Sequence, residues 1–427
     1  RLYPGAKIDV APNTIFSIKG IKAIGEEFNK IVFSSSGYEN TNESYFCKYN
    51  GMASYYLSTF NEVDAVVFKH IHFTNINDNQ VKIGMQYCVN CEKYLVEIEN
   101  ITTDNPCIRD NPCTMQSSYD ISLIGALINK VNINGVSLKL ALLITTPQCN
   151  INVFNTYAGI FGINKFTSNA NFVFYDCDLY GSNSQLLKDD SYSNWPGLNV
   201  YGGGINFNQV TIKDAQYGLI LNNLMNELKI TNCTFDNKYL DLSVDNYKFN
   251  KIPGNGLIFN NIFNPINDNT PQHIGVSNSK YILIDHNSFP NVKTAGITLL
   301  NCNMPNVINN TIESSSSGLV GIASYLSGGA YHCNNISDCY YGLEYINSNP
   351  ILYQNVIHNN GIGMYITNNT YPIMSPAYTG NQTENLAGYN HFYGNSGQEI
   401  YILNTETATS NLLMDDGINI IEDDDNN

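Results

Sequence analysis

Basic side chains are scarce in this chain of 427 residues. It holds 21 lysines and arginines against 37 aspartates and glutamates, which gives a formal net charge of -16 at pH 7. Its only arginines are Arg1 and Arg109. Because nucleic acids and anionic membrane surfaces attract basic side chains, we expect no nucleic-acid partner. No long uncharged apolar run is present, so we also expect no membrane insertion.

The sequence also lacks the periodicities of helical and leucine-rich repeats. No heptad pattern is present, and leucines do not recur at fixed positions. What recurs between Ile274 and Ile366 is a Gly-apolar pair, a polar stretch and then Asn-x-apolar. The glycines are Gly275, Gly296, Gly318, Gly342 and Gly363, and the asparagines are Asn287, Asn310, Asn334 and Asn355. The apolar partners Phe289, Ile312, Ile336 and Ile357 are 23, 24 and 21 residues apart. Such spacing indicates a structural repeat.

The segments between these markers are typical of β-strands. They are short apolar runs, such as Ile282-Leu283-Ile284, that end at Asn, Gly, Ser or Pro. If coils stack, each strand pairs in parallel with its equivalent one turn later, about 4.8 Å away. The asparagine amides can then form a hydrogen-bonded ladder, and asparagine tolerates the left-handed backbone of a sharp corner. The pattern predicts an all-β fold, a single-stranded parallel β-helix (solenoid) with corner insertion loops.

With these repeats, the chain resembles right-handed parallel β-helix repeat proteins of the pectin-lyase-like superfamily. Its opening, from Pro4-Gly5-Ala6 to Ile31-Val32-Phe33, is similar to the leading coils of secreted bacterial β-helix proteins. The resemblance implies a right-handed coil. It leaves function open, because the same coil serves lyases, hydrolases, adhesins and stalks.

We predict one continuous β-helix over residues 1–413, with its clearest repeats at 205–370. Ile21, Ile24, Phe28 and Ile31 have helical spacing, which leaves a capping helix as an alternative, but Gly25 and the apolar flanks favour strands. Insertion loops are predicted near 34–56, 105–118, 182–204 and 371–386, and residues 414–427 are predicted to form an acidic tail or linker.

The eleven cysteines are an odd number, so at least one has no partner within the chain. Cys107 and Cys113 flank a loop and are the best disulfide candidates. Cys88-x-x-Cys91 is compatible with a redox or zinc site, but no second pair completes one. The repeat offers a structural alternative, since Ser279, Cys302 and Ser348 share one slot ahead of a strand. Cys91 fits that slot, while Cys177 and Cys233 fit the ladder position.

The strongest catalytic candidates are Asp285 and His286. Their segment, Tyr281 to Asn287, resembles the Trp-Ile-Asp-His strand of pectate lyases, with Leu283 in place of the tryptophan. The alternative is that both residues merely occupy an exposed position of the repeat. A lyase acting on uronates needs cations at the substrate carboxylates, and neither arginine lies near residue 285 in the sequence. The repeat interpretation is therefore favoured.

Other acidic residues are weaker candidates. Asp189 and Asp190 resemble the paired aspartates of polygalacturonases, but the matching Gly-His-Gly and Arg-x-Lys motifs are absent. Asp176 and Asp178 alternate with Cys177 and could face one side of a strand, as paired carboxylates of a glycosidase would. Solvated surface acids account for all four.

Two further sites are candidates for ligands. Exposed aromatic rings can stack on sugars, and Trp195, Tyr192 and Tyr201 lie in one predicted loop. The acidic segment with Asp415, Asp416, Asp423, Asp424 and Asp425 offers the oxygen ligands that Ca2+ prefers, without the spacing of a calcium loop. We otherwise expect no cofactor.

Aromatic residues also recur at other predicted corners, namely Tyr45, Tyr49, Tyr55, Tyr56, Tyr325, Tyr331, Tyr371 and Tyr378.

The sequence predicts a secreted or cell-surface β-helix without catalytic activity, acting as a stalk, adhesin or assembly-forming subunit. The alternative is a carbohydrate-active enzyme, a polysaccharide lyase or glycoside hydrolase. Because the chain begins at Arg1, we interpret it as a piece whose signal and anchoring segments lie outside it. Exposed strand edges at the ends of a β-helix recruit other chains. The expected partners are therefore other copies or further domains, with carbohydrate as an additional candidate.

Overall fold

The structure is a computed structural model. It describes residues 2–9, 21–34, 65–74, 81–85, 95–103, 121–125, 130–134, 137–144, 150–160, 164–167, 171–180, 197–213, 215–248, 256–264, 272–368, 370, 372–374, 388–403 and 420–422. Every regular element within these ranges is a β-strand. No helix there is long and apolar enough to cross a membrane.

The chain divides into two compact units, Arg1–Gln216 and Tyr217–Asn427. The strands of the first unit are β1 (Lys7–Asp9), β2 (Ile21–Ile24), β3 (Ile31–Ser34), β4 (Ala65–Thr74), β5 (Val81–Met85), β6 (Leu95–Thr103), β7 (Ile121–Gly125), β8 (Lys130–Asn134), β9 (Ser137–Ile144), β10 (Asn150–Ile160), β11 (Asn164–Thr167), β12 (Asn171–Tyr180), β13 (Leu198–Tyr201) and β14 (Gly204–Lys213). Strands β1, β3, β4, β6, β8, β10, β12 and β14 pair in this order, each parallel to the next.

The second unit repeats this plan with clearer periodicity. Its strands are β15 (Tyr217–Asn222), β16 (Leu228–Thr231), β17 (Thr234–Asp236), β18 (Leu240–Asp245), β19 (Gly256–Phe259), β20 (Ile262–Phe263), β21 (Gln272–Ser277), β22 (Ile282–Asp285), β23 (Ser288–Phe289), β24 (Ala295–Leu300), β25 (Asn306–Ile308), β26 (Thr311–Tyr325), β27 (Gly329–His332), β28 (Asn335–Ile346), β29 (Pro350–Tyr353), β30 (Val356–His358), β31 (Ile362–Thr367), β32 (His391–Tyr393), β33 (Gln398–Leu403) and β34 (Ile420–Glu422).

These strands form three parallel stacks, and the chain visits each stack once per coil. The first stack is β15, β18, β21, β24, the end of β26, the end of β28, β31 and β33. The second is β16, β19, β22, β25, β27 and β29. The third is β17, β20, β23, the starts of β26 and β28, then β30, β32 and β34. The predicted all-β parallel β-helix is confirmed.

The core consists of columns of equivalent residues from successive coils. In the first stack Leu219, Leu242, Ile274, Ile297 and Ile322 are paired in register and have no solvent exposure. Burial of such apolar columns is the main favourable contribution to the fold.

A glycine column runs beside this apolar column. A Cβ atom on Gly296, Gly321 or Gly342 would lie 2.6 to 2.7 Å from the carbonyl oxygen of the next glycine in the column. Only glycine allows this approach. The sequence pattern also placed Gly275 and Gly318 in this column, which is wrong for both. Gly275 pairs with Thr298, so His273 is the residue equivalent to Gly296. The register of β26 shifts between Glu313 and Gly318, so Gly321 takes the position.

The corner after the second stack carries the predicted asparagine ladder, which the structure confirms. Each side-chain amide nitrogen donates to a backbone carbonyl of the preceding coil, at 2.8 to 3.1 Å. From Asn261 to Asn355 each also donates to the amide oxygen of the next ladder asparagine, at 2.8 to 3.0 Å. The ladder consists of Asn261, Asn287, Asn310, Asn334, Asn355 and Asn390.

The residue before each ladder asparagine has a left-handed backbone, with φ between 53° and 57°. We call this position the corner column. Its members are Asn260, His286, Asn309, Cys333, Gln354 and Tyr389, with Asn232 ahead of Cys233 as the first. The column turns the chain sharply from the second stack into the third.

The slots predicted for Cys233 and Cys302 are confirmed. The backbone N–H of Cys302 donates to Ser327 Oγ at 2.9 Å, and that of Ser327 donates to Ser348 Oγ at 3.2 Å. The N–H of Cys233 donates to Asn261 Oδ1 at 2.8 Å, as the ladder position requires. Cys177 is also buried. Cys88, Cys91, Cys107 and Cys113 lie outside the described residues.

The remaining expectations about strands and loops are met in part. Residues 21–24 and 31–34 are strands, as preferred over a capping helix. The predicted loop near 182–204 contains β13, whose Leu198 and Val200 are buried. β34 lies within the segment 414–427 and pairs with β32. The continuity of one coil over residues 1–413 stays a prediction.

Candidate functional site

Asp285 and His286 form a hydrogen-bonded pair at the corner column. Asp285 ends β22, and His286 follows it with φ 54°. His286 Nδ1 lies 2.5 Å from Asp285 Oδ1. Since the carboxylate accepts this bond, the proton is assigned to Nδ1, and Nε2 of a neutral ring carries the lone pair.

The surroundings of the pair come from the neighbouring coils. Asn309 Nδ2 donates to Asp285 Oδ1 at 3.0 Å from the next coil. The Phe259 ring packs beside His286 from the preceding coil, with centroids 5.5 Å apart. The side chain of Asp285 is 14% exposed, whereas that of His286 is 55% exposed. The carboxylate is therefore fixed by the corner, and the imidazole faces solvent.

His332 occupies the same column as Asp285, two coils further along. Burial lowers its pKa to about 4, and the charge of Asp285 opposes this shift only in part. Its ring stacks on Tyr353 of the next coil, with centroids 4.1 Å apart and planes at 11°. The ring is therefore neutral at pH 7 and contributes packing rather than charge.

An aspartate that accepts a hydrogen bond from histidine Nδ1 orients the imidazole so that it can act as a general base. The corner column gives a simpler account, because Asn260 and Asn309 occupy the position of His286 in the adjacent coils with the same φ. Asparagine and histidine both tolerate this conformation better than most residues. The predicted repeat interpretation of Asp285 and His286 therefore agrees with their positions.

The remaining candidates are spread over the chain. Asp176 and Asp178 lie in β12 on either side of the buried Cys177, in the first unit. Tyr201 ends β13 and is 47% exposed. No group of three or more His, Cys, Asp or Glu side chains that could hold a metal occurs in the described ranges. The following candidates lie outside those ranges: Asp189, Asp190, Tyr192, Trp195, Cys107, Cys113, Asp415, Asp416, Asp423, Asp424 and Asp425.

The sequence pattern did not predict two features of the structure. Asp241 and His273 form a fully buried pair, with His273 Nδ1 2.6 Å from Asp241 Oδ2. They occupy the glycine column, one residue before Leu242 and Ile274 in the same register. The second feature is a set of outward tyrosines on the first stack, at Tyr341, Tyr365 and Tyr401. The register of the first stack aligns Asp241 with His273 and Tyr365 with Tyr401, and it is the signal that would have revealed both features. Tyr331, predicted among the corner aromatics, is instead fully buried in β27.

No protein-family model matches the chain, and no curated protein sequence matches it. Among solved structures, tailspike protein 3 of bacteriophage CBA120 is similar over 89% of this chain, with 10% identity and a TM-score of 0.34. The chain spans 55% of that protein's length. The periplasmic alginate epimerase AlgG is similar over 79% of this chain and 78% of its own, with 11% identity and a TM-score of 0.32. At this similarity neither protein's role transfers to this chain.

Proposed function

We propose that this chain is a non-catalytic β-helix module of a secreted or cell-surface structure, where it acts as a stalk, adhesin or assembly-forming subunit. The observation that supports the proposal most is the position of His286. The best catalytic candidate occupies a corner that asparagine fills in the adjacent coils, and its aspartate is engaged by Asn309. The continuous asparagine ladder supports a stiff scaffold role, since each amide satisfies buried backbone groups.

A second candidate, a carbohydrate-active enzyme, is favoured by one observation. The 2.5 Å contact between His286 and Asp285 orients an exposed imidazole, as general-base catalysis requires. A lyase would use such a base to abstract a proton next to a uronate carboxylate.

One screen separates the two. The full chain is incubated with polygalacturonate, alginate, a glycosaminoglycan and neutral polysaccharides, and both unsaturated products and new reducing ends are measured. We expect no product from any polymer. Product that disappears with Asp285→Asn or His286→Asn would establish the enzyme instead. His286→Asn is the sharper variant, because it keeps a residue suited to the corner and removes only the imidazole.

The expected assembly through the β-helix ends is tested separately by light scattering during size-exclusion chromatography over a concentration series. Growth of the molar mass with concentration supports it, and a constant monomer mass of 47.6 kDa contradicts it.

A further inference from the structure

The outward face of the first stack carries tyrosines in successive coils. We define the tyrosine row as Tyr325, Tyr340, Tyr341, Tyr365 and Tyr401 together with Glu344. The rings of Tyr341 and Tyr365 have centroids 4.9 Å apart, and those of Tyr365 and Tyr401 are 5.7 Å apart with planes at 13°. Tyr340 meets Tyr341 edge-on at 4.6 Å and is 49% exposed.

Glu344 lies within this row. It is paired in register with Tyr365, which is paired with Tyr401. The Tyr325 hydroxyl donates to Glu344 Oε2 at 2.5 Å. Burial raises the pKa of Tyr325, and the bond to Glu344 adds to the shift. Tyr325 therefore remains a donor that fixes the carboxylate, whose other lone pairs can accept hydrogen bonds from a ligand.

The ring orientation determines which contacts the row can make. The Tyr365 ring has a neighbouring ring on either side along the stack, that of Tyr341 and that of Tyr401. Side chains stand roughly perpendicular to a sheet, so the phenol edges and hydroxyl groups are directed outward. The row thus presents polar groups at each coil step of about 4.8 Å. A ligand with hydroxyl groups repeated along one axis would fit such a surface.

The charge of this region restricts the ligand. No lysine or arginine follows Lys293 in the sequence, so β26, β28, β31 and β33 contain none. The carboxylate of Glu344 adds negative charge to the row itself. Polyuronates, nucleic acids and anionic lipids would therefore be repelled. An uncharged polymer rich in hydroxyl groups can donate to Glu344 and exchange hydrogen bonds with the tyrosines.

We propose that the tyrosine row binds a neutral polysaccharide laid along the stack axis. Tyrosine suits this role because it supplies rigid contact area and a hydroxyl group at low entropic cost. The inference deepens the proposed surface role by naming a ligand class and its site.

The test is affinity electrophoresis of the full chain in gels that contain galactomannan or hydroxyethylcellulose, with polygalacturonate and alginate as anionic comparisons. We expect retardation by at least one neutral polymer and none by the anionic ones. Tyr365→Phe, which removes only a hydroxyl, should weaken binding about threefold to tenfold, the usual range for one hydrogen bond. Glu344→Gln should weaken it about tenfold.

The matched control is Tyr239→Phe. Tyr239 belongs to an exposed tyrosine pair of the same unit, with Tyr217 at 5.9 Å, but lies beside Lys238 and outside the row. It should bind like the unmodified chain. Absence of retardation in every neutral gel, retention by the anionic polymers alone, or retention unchanged by Tyr365→Phe and Glu344→Gln would each overturn the proposal. None of these results bears on catalysis, which the product screen measures independently.

Discussion

Asn310 Nδ2 lies 3.0 Å from Asn334 Oδ1 in the next coil and 3.0 Å from the carbonyl oxygen of Ile284 in the preceding one. A single amide therefore joins three coils. Its own oxygen accepts from the backbone N–H and the amide of Asn287, both at 3.0 Å. All of these groups are buried, so their hydrogen bonds cannot be replaced by solvent.

Replacing this asparagine should be costly. Asn310→Leu removes the acceptor of the Asn287 N–H and of the Asn287 amide, at about 1 to 3 kcal/mol for each buried group, and also removes the amide donor to the Ile284 carbonyl. We expect the free energy of unfolding to fall by about 3 kcal/mol or more, measured by denaturant titration. Asn306→Ala is the control, since Asn306 is an exposed asparagine of β25, and it should change stability by about 0.5 kcal/mol or less.

The ladder was predictable because a strict hydrogen-bond geometry leaves a strict sequence period. Asn287, Asn310 and Asn355 are visible from spacing alone. The buried Asp241 and His273 were not, because Leu242 and Ile274 pair in register although 32 residues separate them. Extra residues in the connection between two coils lengthen the spacing beyond the repeat of 21 to 24 residues, although the strands still stack in register. Gly321 was missed for a related reason, the register shift within β26.

The corner column makes a prediction about backbone conformation. His286→Asn should leave stability within about 0.5 kcal/mol, since asparagine holds this position in the adjacent coils. His286→Val should lower the free energy of unfolding by about 1 to 2 kcal/mol, because a β-branched residue resists a left-handed backbone. Equal effects of the two substitutions would show that loss of the bond to Asp285, rather than the corner, determines stability.

The pH dependence of stability should include a contribution from His332. Its pKa is about 4 in the folded chain and about 6.5 when unfolded, so the unfolded state binds more protons between these values. Stability is then complete above pH 6.5 and decreases as the pH falls towards 4. Because the ring is half-buried, we expect a loss on the order of 1 kcal/mol rather than the full value of the shift.

His332→Gln tests this contribution, because glutamine does not titrate. The midpoint of urea unfolding is measured between pH 4 and pH 7 for both chains. The difference between them should change between pH 4 and about pH 6.5 and stay constant from there to pH 7. A difference that is the same at all pH values would remove His332 as its source.

The Asp241–His273 pair supports the most demanding prediction. Asp241 Oδ1 also accepts from the N–H and the amide of Asn237, at 3.0 and 2.9 Å, so the carboxylate is fully engaged. The His273 ring lies against Phe263 and Phe289, at 6.0 and 5.7 Å between centroids. Removing one partner leaves the other buried without its counterpart, at about 3 to 5 kcal/mol.

Glycine is the appropriate substitution, because Gly218 and Gly296 hold the equivalent positions of the adjacent coils. Asp241→Gly and His273→Gly should each destabilise strongly, and the double variant should be less destabilised than the two single effects combined. A coupling of about 1 to 3 kcal/mol in this double-mutant cycle is expected for residues in direct contact. Additive effects would mean that the two side chains fill space independently. Strong coupling would mean that the pair acts as one unit, replacing in these two coils the close backbone packing that glycine provides in the adjacent coils.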